Sequence, residues 1–206
     1  MVKVKICGIT NLRDALVATE AGADALGFVF VQGSPRYIDP EQVAMIQRRL
    51  PPLLSLVGVF ADAPLEEVKR VAEVCQLSAV QLHGEENPEY CSSLKRRIIK
   101  AFRVRDRSSL VDLGRYRVEA FLLDSYSPDH LGGTGKTFDW GLAREGKRYG
   151  RLILSGGLTP QNVAEAIRMV RPYAVDVSSG VEGSTGRKDE GKVRRFLEEA
   201  AKAGRD

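Results

Sequence analysis

Short apolar, β-branched runs recur eight times along this chain, with stretches of helical spacing between them. They are residues 2–9 (VKVKICGI), 23–30 (ADALGFVF), 53–60 (LLSLVGVF), 79–84 (AVQLHG), 98–104 (IIKAFRV), 119–125 (EAFLLDS), 151–157 (RLILSGG) and 174–180 (AVDVSSG). Helical spacing covers residues 11–21, where Leu12, Ala15, Leu16 and Thr19 share one side. Behind Pro64, residues Leu65, Val68, Val71, Ala72 and Cys75 recur at three- and four-residue steps and predict a helix over 64–76. Thr159 as N-cap and Pro160 at the first helical position predict a helix to residue 170, and residues 189–203 are amphipathic. Strands alternating with helices of this length require a parallel sheet with right-handed crossovers. Eight such units predict an α/β fold, a single-domain (β/α)8 TIM barrel over residues 1–206. The competitor, an open doubly wound sheet, usually carries a glycine-rich fingerprint after its first strand. Here one glycine, Gly8, follows Cys7.

Composition narrows the function classes. The chain has 206 residues, 43% hydrophobic and 28% charged, enough for one core. No apolar run approaches the ~20 residues of a membrane helix, and no signal peptide is expected, which points to a cytoplasmic protein. The three cysteines, Cys7, Cys75 and Cys91, form no C-x-x-C pair, so no metal is expected. Basic residues exceed acidic ones by 31 to 27 and are interleaved with them, as in EGKVRRFLEEAAKAGRD. That pattern argues against a nucleic-acid stripe and suits a small anionic substrate. The expected partner is a small molecule, with no nucleic acid and no membrane. A monomer and a homodimer both fit, with Phe30, Tyr37 and Phe60 as loop hydrophobics that could pair copies.

In such barrels chemistry sits at the C-terminal strand ends. The polar residues there are Cys7, His83, Asp124, Ser155-Gly156-Gly157, and Asp176 with Ser178-Ser179-Gly180. The loops SGGLTPQN and SSGVEGSTG follow the seventh and eighth strands, where barrels often bind phosphate through backbone N–H groups. Asp124 ends the apolar run AFLLD; partial desolvation there favours its protonated form and suits a general acid, the alternative being a turn-former. Cys7 alone reads as a small buried hydrophobe. Strand alternation, however, puts Lys3 and Lys5 on its side of the first strand; either that side faces the barrel interior, where a buried lysine needs a partner, or it faces outward and Val4 and Ile6 fill the barrel. Closure would bring Asp176 beside Lys5, giving an ion pair beneath the catalytic layer, with Lys5 also favouring the Cys7 thiolate. Arg36 in GSPRYI is either a carboxylate grip or a solvated loop arginine. His83 is either a substrate contact or a satisfied core histidine. The cluster GGTGKT (132–137) lacks the glycine that a P-loop needs at position 130, where His130 stands, and Pro128 separates it from the strand. It reads as a loop that folds over substrate, or as a plain turn.

Taken together these segments resemble the phosphoribosylanthranilate isomerase family of tryptophan biosynthesis. The resemblance runs end to end through KVKICGIT, GFVF…SPRYI, VGVF, QLHG, LLDS, GGTGKTFDW, LSGGL…NV and VDVSSGVE. It implies an Amadori rearrangement of N-(5′-phosphoribosyl)anthranilate with no cofactor. Cys7 is implied as general base and Asp124 as general acid. Arg36 would hold the anthranilate carboxylate, and Gly156, Gly157, Ser179 and Gly180 the phosphate. His83 and Asp176 complete the expected substrate-binding set. The competing readings are another phosphosugar barrel, such as indole-glycerol-phosphate synthase, and a non-catalytic phosphosugar- or RNA-binding barrel. Against the first, no lysine ends a strand here.

Overall fold

The structure is a computed structural model that describes residues 1–125 and 139–204. The loop 132–137 singled out above lies outside these residues. Eight parallel strands close on themselves in sequence order: β1 (Lys3–Ile6), β2 (Ala25–Val29), β3 (Ser55–Phe60), β4 (Ala79–Leu82), β5 (Ile98–Val104), β6 (Ala120–Ser125), β7 (Leu152–Leu154) and β8 (Ala174–Val177). The ring closes where β8 pairs with β1, setting Lys5 opposite Asp176. The predicted (β/α)8 barrel is what forms.

The outer layer is α1 (Leu12–Glu20), α2 (Pro40–Gln47), α3 (Leu65–Val74), α4 (Pro88–Ser93), α5 (Trp140–Gly146), α6 (Val163–Val170) and α7 (Glu190–Ala203). Side chains of Asn11, Asp39, Asn87, Asp139 and Asp189 accept from backbone N–H groups of the first turns they precede. Each such cap stabilises its helix by about 1 kcal/mol. α7 buries Val193, Phe196, Leu197, Ala200 and Ala203 at helical spacing. Full burial of an aliphatic or aromatic side chain of this kind contributes roughly 1.5–3 kcal/mol.

Three local expectations change. The fifth crossover is a 3₁₀ segment, Arg107–Arg115, rather than an α-helix. The sixth helix starts at Val163, not at Pro160, because Asn162 bonds the Thr159 N–H and the Gly157 carbonyl and holds 159–162 as a turn. Phe30 and Phe60 are not a surface for pairing copies; they stack at 5.1 Å in the core. A hairpin that sequence reading did not find, β9 (Glu182–Ser184) and β10 (Arg187–Lys188), follows β8. Among the described residues, no helix is long and apolar enough to cross a membrane.

Candidate active site

Alternation along the strands builds the barrel interior in layers. The lower layer is apolar: Ala25, Val57, Ala79, Ile99, Ala120, Leu122, Ile153 and Ala174 pack together. Two residues further along several of these strands the same inward face turns polar, giving Gln81, Asp124, Ser155 and Asp176, with Lys5 contributed by β1. Gly27 makes room for this layer: a Cβ there would stand 2.6 Å from Cys7 Sγ and 3.0 Å from Lys5 Cε. Lys3, one step below, does not join the interior. It is exposed and bonds Asp24 at 2.7 Å.

Lys5 and Asp176 are 3% and 5% exposed, and Lys5 Nζ donates to Asp176 Oδ1 at 2.7 Å. Ser155 Oγ donates to Asp176 Oδ2 at 3.1 Å, so both carboxylate oxygens are engaged within the protein. Burial works against the Lys5 ammonium, but Asp176 and the Cys7 sulfur outweigh it and hold the group above the ordinary lysine value. For Cys7 the balance reverses. Burial pushes the thiol up, and the opposing pull of Lys5 does not cancel it. The sequence expectation that Lys5 favours the thiolate is correct in sign, yet the net shift is upward, because removing a thiolate from water is the larger effect.

A cavity of about 510 Å³ opens above this layer and is lined by Cys7, Arg36, His83, Asp124 and Asp176 together. Its walls divide by chemistry. On the β2–β3 side Val29, Val31, Pro35, Val59 and Ala61 are apolar, interrupted by Gln32 and Ser34 beside Arg36; on the other side Gln81, His83, Asp124, Ser155 and Ser178 are polar. Such a division suits a ligand with a ring and carboxylate at one end and a hydroxylated sugar at the other. His83 Nδ1 lies 3.1 Å from Gln81 Nε2, while His83 Nε2 stands 3.4 Å from Asp124 Oδ2 without hydrogen-bond geometry. His83 Nε2, Gln81 Oε1 and Ser178 Oγ are buried and unpartnered among the described residues. A buried polar atom without a partner costs about 1–3 kcal/mol; two of these stand at the β4 end of the mouth and one at the β8 end, across the ring, where a ligand's hydroxyl groups would be received.

The two glycine loops pack on each other, but of their residues only Ser155 and Ser178 line the cavity; Gly156, Gly157, Ser179 and Gly180 do not. Gly156 and Gly157 take φ of +86° and +63° directly after β7, a left-handed backbone that favours glycine. Gly180 packs on the Leu158 carbonyl and joins the two loops. Among the described residues the N–H groups of Gly156, Gly157, Ser179 and Gly180 donate to no backbone carbonyl. In the eighth loop it is Ser178, rather than Ser179, that lines the cavity.

Arg36 departs from the expectation in one respect. Its Nε and Nη2 donate to Glu182 Oε1 and Oε2, both at 2.8 Å. The two-pronged bond expected for a substrate carboxylate is therefore already occupied, and the end-on edge through Nη1 is what remains. Glu182 and Lys188 were not legible in the sequence, because nothing in EGSTGRK signals that the hairpin folds back over Arg36. Among the described residues, no cluster of three or more His, Cys, Asp or Glu could hold a metal.

This geometry can be set against known proteins. A family model described as N-(5′-phosphoribosyl)anthranilate isomerase matches residues 4–199. An N-(5′-phosphoribosyl)anthranilate isomerase from Geobacter sp. (strain M21) is 61% identical over 202 residues, covering 98% of this chain and 99% of that relative. The crystal structure of phosphoribosyl anthranilate isomerase from Thermotoga maritima is 48% identical, covers 98% of this chain and 100% of its own, and superposes with a TM-score of 0.93. A phosphoribosyl anthranilate isomerase solved with reduced 1-(o-carboxyphenylamino)-1-deoxyribulose 5-phosphate is 46% identical, with 98% and 100% coverage and a TM-score of 0.90. With its closed eight-stranded ring, a mouth shared by Cys7 and Asp124, and these matches over nearly its whole length, the chain belongs to the N-(5′-phosphoribosyl)anthranilate isomerase family.

Proposed function

We propose that this chain isomerises N-(5′-phosphoribosyl)anthranilate to 1-(2-carboxyphenylamino)-1-deoxyribulose 5-phosphate in tryptophan biosynthesis, with Asp124 as general acid and Cys7 as general base. One observation carries the assignment of roles: a thiol from β1 and a carboxyl from β6 line one cavity that Arg36 also lines, with Val29 and Val59 packed beside the thiol. The related structure holding a reduced product supports a ligand of this size and charge.

The steps follow from the groups present. Asp124 gives its proton to the ribose ring oxygen as the C1′–O bond breaks, and the anthranilate nitrogen lone pair forms the C1′=N bond of a Schiff base. The Cys7 thiolate then takes the C2′ proton, and the electron pair runs through C1′ into the nitrogen to give an enolamine. Tautomerisation moves a proton from the 2′ oxygen to C1′ and leaves the ketone. Cys7 ends protonated and Asp124 ionised, so return of one proton resets the site. The imine is itself the electron sink, and each proton transfer by a positioned group contributes about 10²- to 10⁴-fold. Because burial pushes the Cys7 thiol up, proton removal proceeds from a small thiolate population. Arg36 holds the anthranilate carboxylate through its end-on edge. The N–H groups of Gly156, Gly157, Ser179 and Gly180 receive phosphate. His83 and Ser178 contact the sugar, and Asp176 acts from below through Lys5.

The test is anthranilate fluorescence. Purified protein should abolish the fluorescence of enzymatically generated substrate, whereas Cys7→Ala and Asp124→Ala should not, with circular dichroism unchanged. Turnover by either variant at the parent rate would remove the assignment.

A further inference from the structure

The hairpin β9–β10 lies outside the repeating strand–helix order, and its contacts are directed at the mouth. Thr10 Oγ1 donates to Gly186 O at 2.6 Å, and the Lys188 N–H donates to Asp14 Oδ2 at 2.8 Å, tying the hairpin to the loop and helix after β1. Gly186 also packs on the Pro35 carbonyl, next to Arg36. Beneath the hairpin, Glu182 Oε1 accepts from Arg36 Nε at 2.8 Å and from Lys188 Nζ at 3.0 Å, while Oε2 accepts from Arg36 Nη2 at 2.8 Å. Lys188 Nζ also donates to Ser178 O at 3.1 Å, and its side chain is 0% exposed.

The charges do not balance. Two cations share one carboxylate, leaving one positive charge over beside the cavity that Arg36 lines. Burial depresses the Lys188 ammonium below the ordinary lysine value even with Glu182 beside it. Glu182 is held below the usual carboxylate range, since Arg36 and Lys188 outweigh its burial. An incoming carboxylate on the free edge of Arg36 would complete the neutralisation. The side-on bond to Glu182 also fixes the guanidinium plane before any ligand arrives, so binding does not have to order a long side chain.

We propose that Glu182 and Lys188 are positioning residues that preset Arg36 as a carboxylate-selective grip, so that this hairpin sets the preference for a carboxylate-bearing substrate. Glu182 supplies orientation. Lys188 restores the positive charge that Glu182 would otherwise cancel. The inference rests on the reading of Arg36 as the contact to the anthranilate carboxylate.

The experiment compares two inhibitors that differ only in that group: reduced 1-(o-carboxyphenylamino)-1-deoxyribulose 5-phosphate and its phenylamino counterpart. The parent protein should prefer the carboxylated compound by on the order of 10- to 100-fold, the range of a charge-assisted bond. Glu182→Gln and Lys188→Met should each remove most of that ratio, leave affinity for the phenylamino compound within about twofold, and raise KM while kcat changes by less than about threefold. If Glu182→Gln does not fold, Lys188→Met decides. Should both hairpin variants keep the ratio while Arg36→Met loses it, the hairpin proposal is overturned and the Arg36 reading stands. Should Arg36→Met keep the ratio too, the Arg36 reading itself falls. Equal loss of affinity for both compounds would indicate a collapsed site and would also overturn the proposal.

Discussion

Among the described residues, and apart from the Lys188–Glu182 pair under the hairpin, two buried lysine–carboxylate pairs link a strand lysine to an acid and lie beside a buried cysteine. Lys5–Asp176 spans 2.7 Å near Cys7; Lys100–Glu86 spans 3.0 Å near Cys91. In both places burial pushes the thiol up and the lysine pulls it back. The surroundings differ. Lys5 faces the barrel interior, under a cavity. Lys100 faces the opposite way: its neighbours Ile99 and Ala101 point inward, and it packs toward the helices, 5.5 Å from the Phe102 ring. There it donates to the Leu82, Gly84 and Ala101 carbonyls, while Glu86 accepts from the Asp62 and Gly84 N–H groups. The outer pair ties the loops after β3 and β4 together; the inner pair places charge beside a thiol that opens to a ligand site. Similar chemistry serves architecture on one side of the sheet and reactivity on the other, and strand alternation decides which.

The largest test of this contrast is at the cysteines. Cys7→Ala, like Asp124→Asn, should lower kcat by about 10²- to 10⁴-fold, while Cys91→Ala keeps the parent kcat in the fluorescence assay. Comparable losses at both cysteines would erase the distinction. Next are the carboxylates. Asp176→Asn and Glu86→Gln each strip the partner from a buried ammonium and should cost about 3–5 kcal/mol in urea unfolding. Of the two, Asp176→Asn alone should also depress kcat/KM in the folded fraction.

A pH series sharpens the inner side. The rate tracks the thiolate, and the Cys7 thiol is raised, so kcat/KM should still be climbing above the ordinary thiol range. Linkage gives the matching stability effect. A folded value above the unfolded one contributes stability that is present below the ordinary thiol range and is lost as pH rises through the folded value. Cys7→Ala should flatten that alkaline decline. The smallest effect is expected at Lys3–Asp24, which stands one step below Lys5 but is exposed. Lys3→Met should shift stability by no more than about 1 kcal/mol and leave turnover unchanged.

The inner pair was legible in the sequence and the outer pair was not, for a physical reason. Parity put Lys5 on the side of Cys7, and eight repeats forced closure, so Asp176 had to be its neighbour; the observed register is Lys5 opposite Asp176. Lys100 and Glu86 come from a strand and a loop whose meeting depends on how residues 83–86 turn, which no periodicity encodes. The same limit hid Glu182 and Lys188, since a hairpin's fold-back is set by contacts with Thr10, Asp14 and Pro35 distant in sequence. The start of α6 was misplaced because Thr159-Pro160 is a good helix opening locally, and only the Asn162 side chain shows that the turn wins. Asp124 and Arg36 were singled out by type and position and both line the cavity, but Arg36's existing bond to Glu182 is a tertiary fact.

Lys5 acts on the Cys7 thiol, whereas Lys100 does not. Site-resolved alkylation of Cys7 by iodoacetamide across pH, read by peptide mass spectrometry in the parent, Lys5→Met and Lys100→Met proteins, tests it most directly. The Cys7 midpoint should move to higher pH in Lys5→Met and stay at the parent value in Lys100→Met. A midpoint unmoved by the loss of Lys5, or moved equally by both changes, would show that Lys5 has no specific action on Cys7.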